Sequence, residues 1–360
     1  MNLLFIVYTT GRCNLRCRYC GGSFDPRLVP WNVNYPLKLL EEVFREGDSI
    51  AFYGGEPLLN QKFIADVMER FSARHYILQT NGLLLDKVDK RILDELDTIL
   101  VSIDGVRDLT DRNRGVGVYE RVLEAVRRIR AGGYDGDIVA RMTITSDSDI
   151  YRDVKHLIGL GLFDHVHWQL SMIWVDRSSW GNLWSWIDES YKPGLRKLFR
   201  DWLSNLRSGR LLGIAPFQGI LKRILEGGGV KPPCGSGENS FTILTDGRVI
   251  SCPIAVEENW ARIGLLGEIR RSDLEGRRNI LDEPCRSCSL VDICGSRCLY
   301  THYERLWGDE GVRAICDCSR YIINLIRRGL GELEDAIGKS PYTLKDLLYP
   351  NFNNTIEIMP

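Results

Sequence analysis

Membrane-spanning length is the first thing this sequence lacks. Its opening apolar run, Leu3–Val7, is five residues, where about 20 are needed to cross a bilayer, and no basic segment precedes it. The run reads as a buried first strand. No later stretch approaches a span and no secretion signal is visible, so a cytoplasmic location is expected. Charge of one sign is also missing: 47 Lys and Arg against 48 Asp and Glu leave −1 at pH 7. That balance gives no field for nucleic acid or an anionic membrane surface. Gln (four) and Met (five) are scarce, and Arg outnumbers Lys by 36 to 11. The bias is a weak sign of thermophily that a genomic compositional preference explains equally well. Internal repeats and low-complexity segments are absent.

What is present is a globular composition, 44% hydrophobic and 26% charged over 360 residues, enough for one large domain and a smaller appendage. Eleven cysteines are many for a chain without a secretion signal. Disulfides rarely persist in a reducing compartment, so clustered cysteines there point to metal.

Residues 1–171 alternate short apolar runs (Leu3–Tyr8, Ser49–Tyr53, Tyr76–Gln79, Ile99–Ile103, Ile138–Ile144, His165–Leu170) with amphipathic stretches such as Pro36–Glu46, Gln61–Ala73, Lys87–Leu96, Tyr119–Ala131 and Asp149–Leu160. Such alternation predicts an α/β fold with parallel strands and right-handed crossovers, here a partial (β/α)6 barrel of the TIM type. Chemistry then belongs in the loops at the C-terminal strand ends. Residues 172–233 form a tryptophan-rich helical insert and linker completing the barrel, with a helix over Lys192–Leu206 and breaks at Gly227–Gly229 and Pro232–Pro233. Its aromatics suit either a substrate wall or packing onto the barrel. Residues 234–336 form a cysteine-rich domain with a hairpin over Phe241–Ser251 turning at Asp246–Gly247. A last helix is expected from about Ser319 to Glu332. Residues 337–360 form a tail without catalytic signal. With a first strand at Leu3, no leader-binding domain is expected ahead of the barrel.

The string CNLRCRYC places Cys13, Cys17 and Cys20 in the loop after the first strand. Three thiolates on a four-iron cube leave one iron open. A closed zinc site wants a fourth ligand, and no further Cys or His lies nearby. The string resembles the signature of the radical S-adenosylmethionine (SAM) superfamily, C-x3-C-x-aromatic-C, with Tyr19 as the aromatic. That resemblance implies a 4Fe–4S cluster whose open iron takes SAM's amine and carboxylate, and reductive cleavage of SAM to a 5′-deoxyadenosyl radical that abstracts hydrogen. It implies a SAM site of Tyr19, Gly54, Gly55, Glu56, Ser102, Arg114 and Leu170. Gly54–Pro57 is similar to the family's GGEP motif, whose backbone and Glu carboxylate receive SAM's ammonium. Thr80–Asn81–Gly82 and Ser102–Ile103–Asp104–Gly105 resemble further strand-end strings. Arg114 matches an arginine expected at SAM's carboxylate; Arg141 and Gln169 are further candidates on the fifth and sixth strands.

The later cysteines run Cys234-x12-Gly247-x4-Cys252, then Cys285-x2-Cys288-x5-Cys294-x3-Cys298-x17-Cys316. This spacing resembles the SPASM domain. The resemblance implies two auxiliary 4Fe–4S clusters: Cys285, Cys288, Cys294 and Cys316 hold one, and Cys234, Cys252 and Cys298 hold the other. For the second, the fourth position stays open between an open iron and a group such as Glu238; Cys318 is an alternative to Cys316. C-x2-C pairs also suit structural zinc. SPASM proteins modify peptides or protein side chains, and the chain most resembles archaeal members grouped as peptide-modifying. The implied partners are a peptide or protein substrate and a ferredoxin- or flavodoxin-type electron donor, with no nucleic acid and no membrane. The sulfatase-maturing branch has an Asp after the G-x4-C cysteine, where this sequence has Pro253. The alternatives are a dehydrogenase or C–C bond-forming enzyme acting on a small molecule, and a non-catalytic Fe–S electron carrier.

Overall fold

The first strand sets the architecture because every residue of LFIVYTT is buried, as in a strand covered on both faces. The computed structural model describes residues 2–20, 25–172 and 174–349. In it β1 (Leu4–Thr10), β2 (Ser49–Gly54), β3 (His75–Thr80), β4 (Thr98–Ser102), β5 (Asp137–Ile144) and β6 (His165–Leu170) pair in parallel, in sequence order. Five helices cover the outer face: α1 (Gln61–Arg70), α2 (Lys90–Glu95), α3 (Arg107–Arg114), α4 (Val118–Ala131) and α5 (Ile150–Gly159). The partial six-unit barrel expected from the sequence is therefore present. Pro36–Glu46 is shorter than expected, a 3-10 turn over Leu37–Glu42. The chain there is diverted by Asp48, whose carboxylate accepts from the Arg45 amide at 2.8 Å.

Strand alternation divides the barrel's two faces. Phe5, Val7, Phe52, Leu78 and Val101 point out into the helix layer. Leu4, Ile6, Ala51, Ile77, Leu100 and Val139 point in and pack together. Further along the same inner face come Tyr8, Tyr53, Gln79, Ser102, Arg141 and Gln169, which line a cavity. The interior thus runs from an apolar plug at the N-terminal strand ends to a polar well at the C-terminal ends.

The sheet does not stop at β1. β7 (Ser240–Ile243) adds in parallel to its free edge, with Leu4 opposite Ser240, and β8 (Arg248–Ile250) and β9 (Arg262–Leu265) follow antiparallel. The expected hairpin turns at Asp246–Gly247, where Gly247 has φ +86°, but it belongs to the barrel's own sheet. The expected boundary at residue 234 therefore does not separate two sheets. The extension covers what would otherwise be an open edge.

The segment expected as insert and linker comprises α6 (Leu183–Ser185), a π turn over Trp186–Tyr191, α7 (Lys192–Arg207) and α8 (Ala215–Glu226). Ile214 makes a lone parallel bridge to Val166 beside β6. Trp180 and Trp202 are buried in the main core, so most of the tryptophans pack the insert onto the barrel. The last helix is longer than expected and starts earlier. After α9 (Val291–Cys294) and α10 (Leu299–Glu304), α11 spans Gly308–Arg328 and α12 spans Leu330–Gly338. The apolar stripe Ile315, Cys318, Ile322 and Ile326 runs through Cys318, so the helical periodicity begins before Ser319.

The expected tail also differs. The boundary at residue 337 falls inside α12, and Tyr349 packs with Ala215 against the apolar plug. Its ring meets His165 edge-on at 5.1 Å and its carbonyl accepts from Lys222 Nζ at 2.9 Å. Residues 350–360 lie outside the described residues. Tyr349→Ala should cost about 3 kcal/mol by opening this floor; a urea midpoint unchanged from the parent protein would show that the floor is held without it.

Candidate active site and cysteine clusters

The loop after β1 is held by the ends of the neighbouring strands. Gly55 N donates to Thr10 O at 3.0 Å and Glu56 N to Arg12 O at 2.7 Å. A side chain is impossible at either glycine: a Cβ on Gly54 would lie 2.3 Å from Thr10 O, and one on Gly55 2.1 Å from Arg12 O. Asn81, after β3, donates to Asn14 Oδ1 at 2.7 Å, and Arg18 N donates to Asn113 O at 2.8 Å. Cys13, Cys17 and Cys20 consequently face one end of a cavity of about 310 Å³ at the C-terminal strand ends. Burial pushes the Cys13 thiol up to about 11 against the pull of the Leu15 amide, with Glu56, Cys17 and Cys20 adding to the rise. Burial likewise raises Cys17, opposed by Arg114.

Several expected SAM contacts line this cavity: Tyr19, Gly54, Gly55, Ser102 and Arg114, together with Arg141 and Gln169. Others do not. Leu170 is fully buried in the main core and faces away; its neighbour Gln169 is the residue of β6 on the inner face. The Glu56 carboxylate is turned inward with no exposure. It accepts from Leu58 N at 3.1 Å, Thr80 Oγ1 at 2.7 Å and Asn81 N at 2.7 Å. Burial pushes it up to about 7 despite those donors. Its contribution is to tie β2 to β3.

Arg114 is not a surface arginine. It is 6% exposed, and its fork is spent on Asp104, with Nη2 and Nε at 2.8 and 3.1 Å from the two carboxylate oxygens. Burial alone would depress it; Asp104, Tyr19 and Cys17 outweigh that and raise it. Asp104 was not singled out from the sequence beyond its strand-end string. It also accepts from Tyr19 OH at 2.7 Å, Asn113 Nδ2 at 3.2 Å and Thr143 N at 3.0 Å. The motif tyrosine is thereby locked beside the guanidinium, 5.4 Å from ring to cation.

The same cavity is also lined by Cys234, Ser236, Cys252, Pro253 and Tyr300. Tyr8 OH donates to Pro253 O at 2.7 Å. Cys298 is buried and, with Cys252, lies near Tyr300. Glu238 is taken up elsewhere: Oε1 accepts from Asn279 N at 3.0 Å, and Oε2 sits 4.0 Å from Arg278. Cys285, Cys288, Cys294 and Cys316 surround a second space of about 40 Å³. Burial pushes Cys294 up to about 12 and Cys285 up to about 11, each raised further by the others. Cys318, about 200° around α11 from Cys316, points instead into the core and is 1% exposed.

Among the described residues no three His, Cys, Asp or Glu side chains converge as a single ion requires; the cysteines surround volumes. Thiols bind metal as thiolates, with release of protons. On the main cavity, Arg141 Nε and Trp174 Nε1 are buried donors without a partner, and no Asp, Glu, Lys or His among the described residues lines it. That chemistry fits a ligand with a carboxylate and other acceptors.

Residues 7–157 match the family model described as the radical SAM superfamily. Residues 7–157 are a radical SAM domain. The chain is 25% identical over 340 residues to a cysteine-type anaerobic sulfatase-maturating enzyme of Clostridium perfringens, covering 82% of this chain and 88% of that one. Its fold is similar to the solved structure of native anSMEcpe with bound AdoMet (TM-score 0.72, 19% identity, 93% of this chain and 99% of that one). It is also similar to Streptococcus suis SuiB bound to precursor peptide SuiA (TM-score 0.52, 17% identity, 83% of this chain and 72% of that one). The protein is thus an enzyme with a radical SAM domain, and SAM and 4Fe–4S clusters are its cofactors. No helix among the described residues is long and apolar enough to cross a membrane.

Removing Asp104 strands a buried cation. Asp104→Ala should lower stability by about 3–5 kcal/mol, and the double variant Asp104→Ala/Arg114→Met should recover most of it. Anaerobic thermal unfolding tests this; equal losses in the single and double variants would mean that the pair is not the reason.

Proposed function

We propose that this enzyme modifies a peptide, with its SAM cluster on Cys13, Cys17 and Cys20. Cys234, Cys252 and Cys298 hold one auxiliary cluster; Cys285, Cys288, Cys294 and Cys316 hold the other. The observation that carries the reading is a single cavity lined both by the motif cysteines and by Cys234 and Cys252. Bound there, the cofactors supply hydrogen-atom abstraction from the substrate. The chain's own residues bind and exclude. Gly54 and Gly55 let the cysteine loop lie against the end of β2, Ser102, Arg141 and Gln169 offer polar contacts, and Tyr19 and Arg114 shield the Cys17 side. Glu56 acts at one remove by fixing the strand ends. The relatives named for sulfatase maturation and for a bound precursor peptide support a peptide substrate.

The product proposed here is not formylglycine. Pro253 follows Cys252, its carbonyl engaged by Tyr8, and no carboxylate among the described residues lines the cavity to take a proton. A cross-link or an epimerised residue suits that wall better. With three cysteines and Glu238 engaged elsewhere, the cluster at Cys234 keeps a position toward the cavity. A ferredoxin- or flavodoxin-type protein in the cytoplasm is the proposed electron donor.

Anaerobic reconstitution should give three clusters, about twelve irons per chain; stoichiometric zinc without cluster absorbance would overturn the whole assignment. Cys13→Ala, Cys17→Ala and Cys20→Ala combined should abolish 5′-deoxyadenosine formation while leaving about eight irons. Glu56→Ala should lower stability by about 1–3 kcal/mol by leaving Thr80 Oγ1 and the Asn81 amide without their acceptor, and should weaken SAM binding only through the displaced strand ends. Incubated with SAM and short peptides encoded beside its gene, the enzyme should produce a loss of two hydrogens, or a deuterium gain in D2O, by mass spectrometry. Unchanged peptides, with a small metabolite stimulating 5′-deoxyadenosine release, would transfer the reading to a small-molecule substrate.

A further inference from the structure

The chain passes from one auxiliary cysteine set to the other through three residues, Gly295, Ser296 and Arg297, between Cys294 and Cys298. All three are left-handed, with φ of +59°, +64° and +62°. Glycine takes that conformation freely, whereas serine and arginine meet a steric cost. Non-glycine residues held so are retained where the surroundings over-determine them. Arg297 is also 1% exposed, among the largest fully buried side chains of the protein. A long, permanently charged side chain is thus placed in a strained backbone position and out of water, where neither propensity nor burial favours it.

Its surroundings show what it faces. Arg297 lines the small cavity together with Cys285, Cys288, Cys294 and Cys316. Its charge acts against the rise of Cys294, Cys316 and Cys318 that burial imposes. Nη1 lies 3.4 Å from Thr301 Oγ1, and the guanidinium carbon lies 5.9 Å from the centre of the Trp174 ring. Trp174 in turn lines the main cavity. Two other arginines nearby are differently used. Arg223 donates to the carbonyls of Gly229, Lys231, Asp292 and Ile293, bracing the linker. Arg320 reaches Cys288 Sγ at 4.0 Å from an exposed position, where solvent screens it.

We infer that Arg297 is a fixed counter-charge for the four-cysteine site, holding the reduction potential of the iron–sulfur cluster bound there above what four thiolates alone would set. The inference rests on the assignment of Cys285, Cys288, Cys294 and Cys316 as ligands. Reduction adds negative charge to a cluster, so a buried cation beside it stabilises the reduced form. The arginine also lies between that site and the Trp174 indole on the wall of the main cavity.

The test is an EPR-monitored redox titration of the full chain carrying Cys13→Ala, Cys17→Ala and Cys20→Ala, so that only auxiliary signals remain. Arg297→Gly relieves the left-handed strain while removing the charge; Arg297→Lys keeps the charge. At the parent's midpoint, the reduced-to-oxidised ratio in Arg297→Gly should fall about tenfold, equivalent to about 59 mV for one electron. Arg297→Lys should stay within about twofold of the parent, and Arg320→Gln should shift less than Arg297→Gly. A loaded Arg297→Gly protein within about twofold of the parent would overturn the inference. Should Arg297→Gly fail to load while Arg297→Lys loads, the charge is required and the inference stands; failure of both would make Arg297 a packing residue. Cys285→Ala/Cys288→Ala should remove about four irons; no loss would bring down the ligand assignment, and this inference with it.

Discussion

Two glycines without room for a side chain fix where the chemistry happens. The backbone of Thr10–Arg12 lies directly on Gly54 and Gly55, so the cysteine loop cannot move independently of the end of β2. Glu56 then ties β2 to Thr80 and Asn81, and Asn81 reaches back to Asn14 in the loop. The result is a closed circuit of short contacts around the mouth of the barrel. A cluster needs its ligands within tenths of an ångström, and here the backbone, rather than long side chains, sets that precision.

The second set of cysteines on the cavity depends on the sheet. Because β7 pairs with β1, Cys234 and Cys252 are carried to the cavity by strands hydrogen-bonded to the strand that carries the motif loop. A buried ion pair fastens the far side of this extension: Arg271, beyond β9, meets Asp48, beside β2, at 2.5 and 3.0 Å. Relative motion between the two cysteine sets would have to break a continuous sheet or strand a buried charge, and both are costly.

Local patterns were legible from the sequence and pairings were not. CNLRCRYC and the later cysteine spacings are properties of short segments, and the structure gathers Cys13, Cys17 and Cys20 around one cavity and Cys285, Cys288, Cys294 and Cys316 around another. Cys316 rather than Cys318 joins that set because two residues turn most of the way to the opposite face of a helix. Leu170 shows the sensitivity of strands: one position separates Gln169 on the inner face from a residue in the outer core. Asp104 was missed as the partner of Arg114 because a buried acid is recognised by its distant neighbours. The parallel addition of β7 to β1 joins segments more than two hundred residues apart, which no periodicity reports. Cys318 hid the start of α11, since read as a possible ligand it interrupts an apolar stripe that it in fact continues.

The floor under the barrel has a consequence for traffic. Tyr349 and Ala215 pack against the inward residues of β1 to β5, so among the described residues the barrel interior is filled at the N-terminal strand ends. The space left for a ligand is therefore the cavity at the C-terminal strand ends, where the cysteines lie.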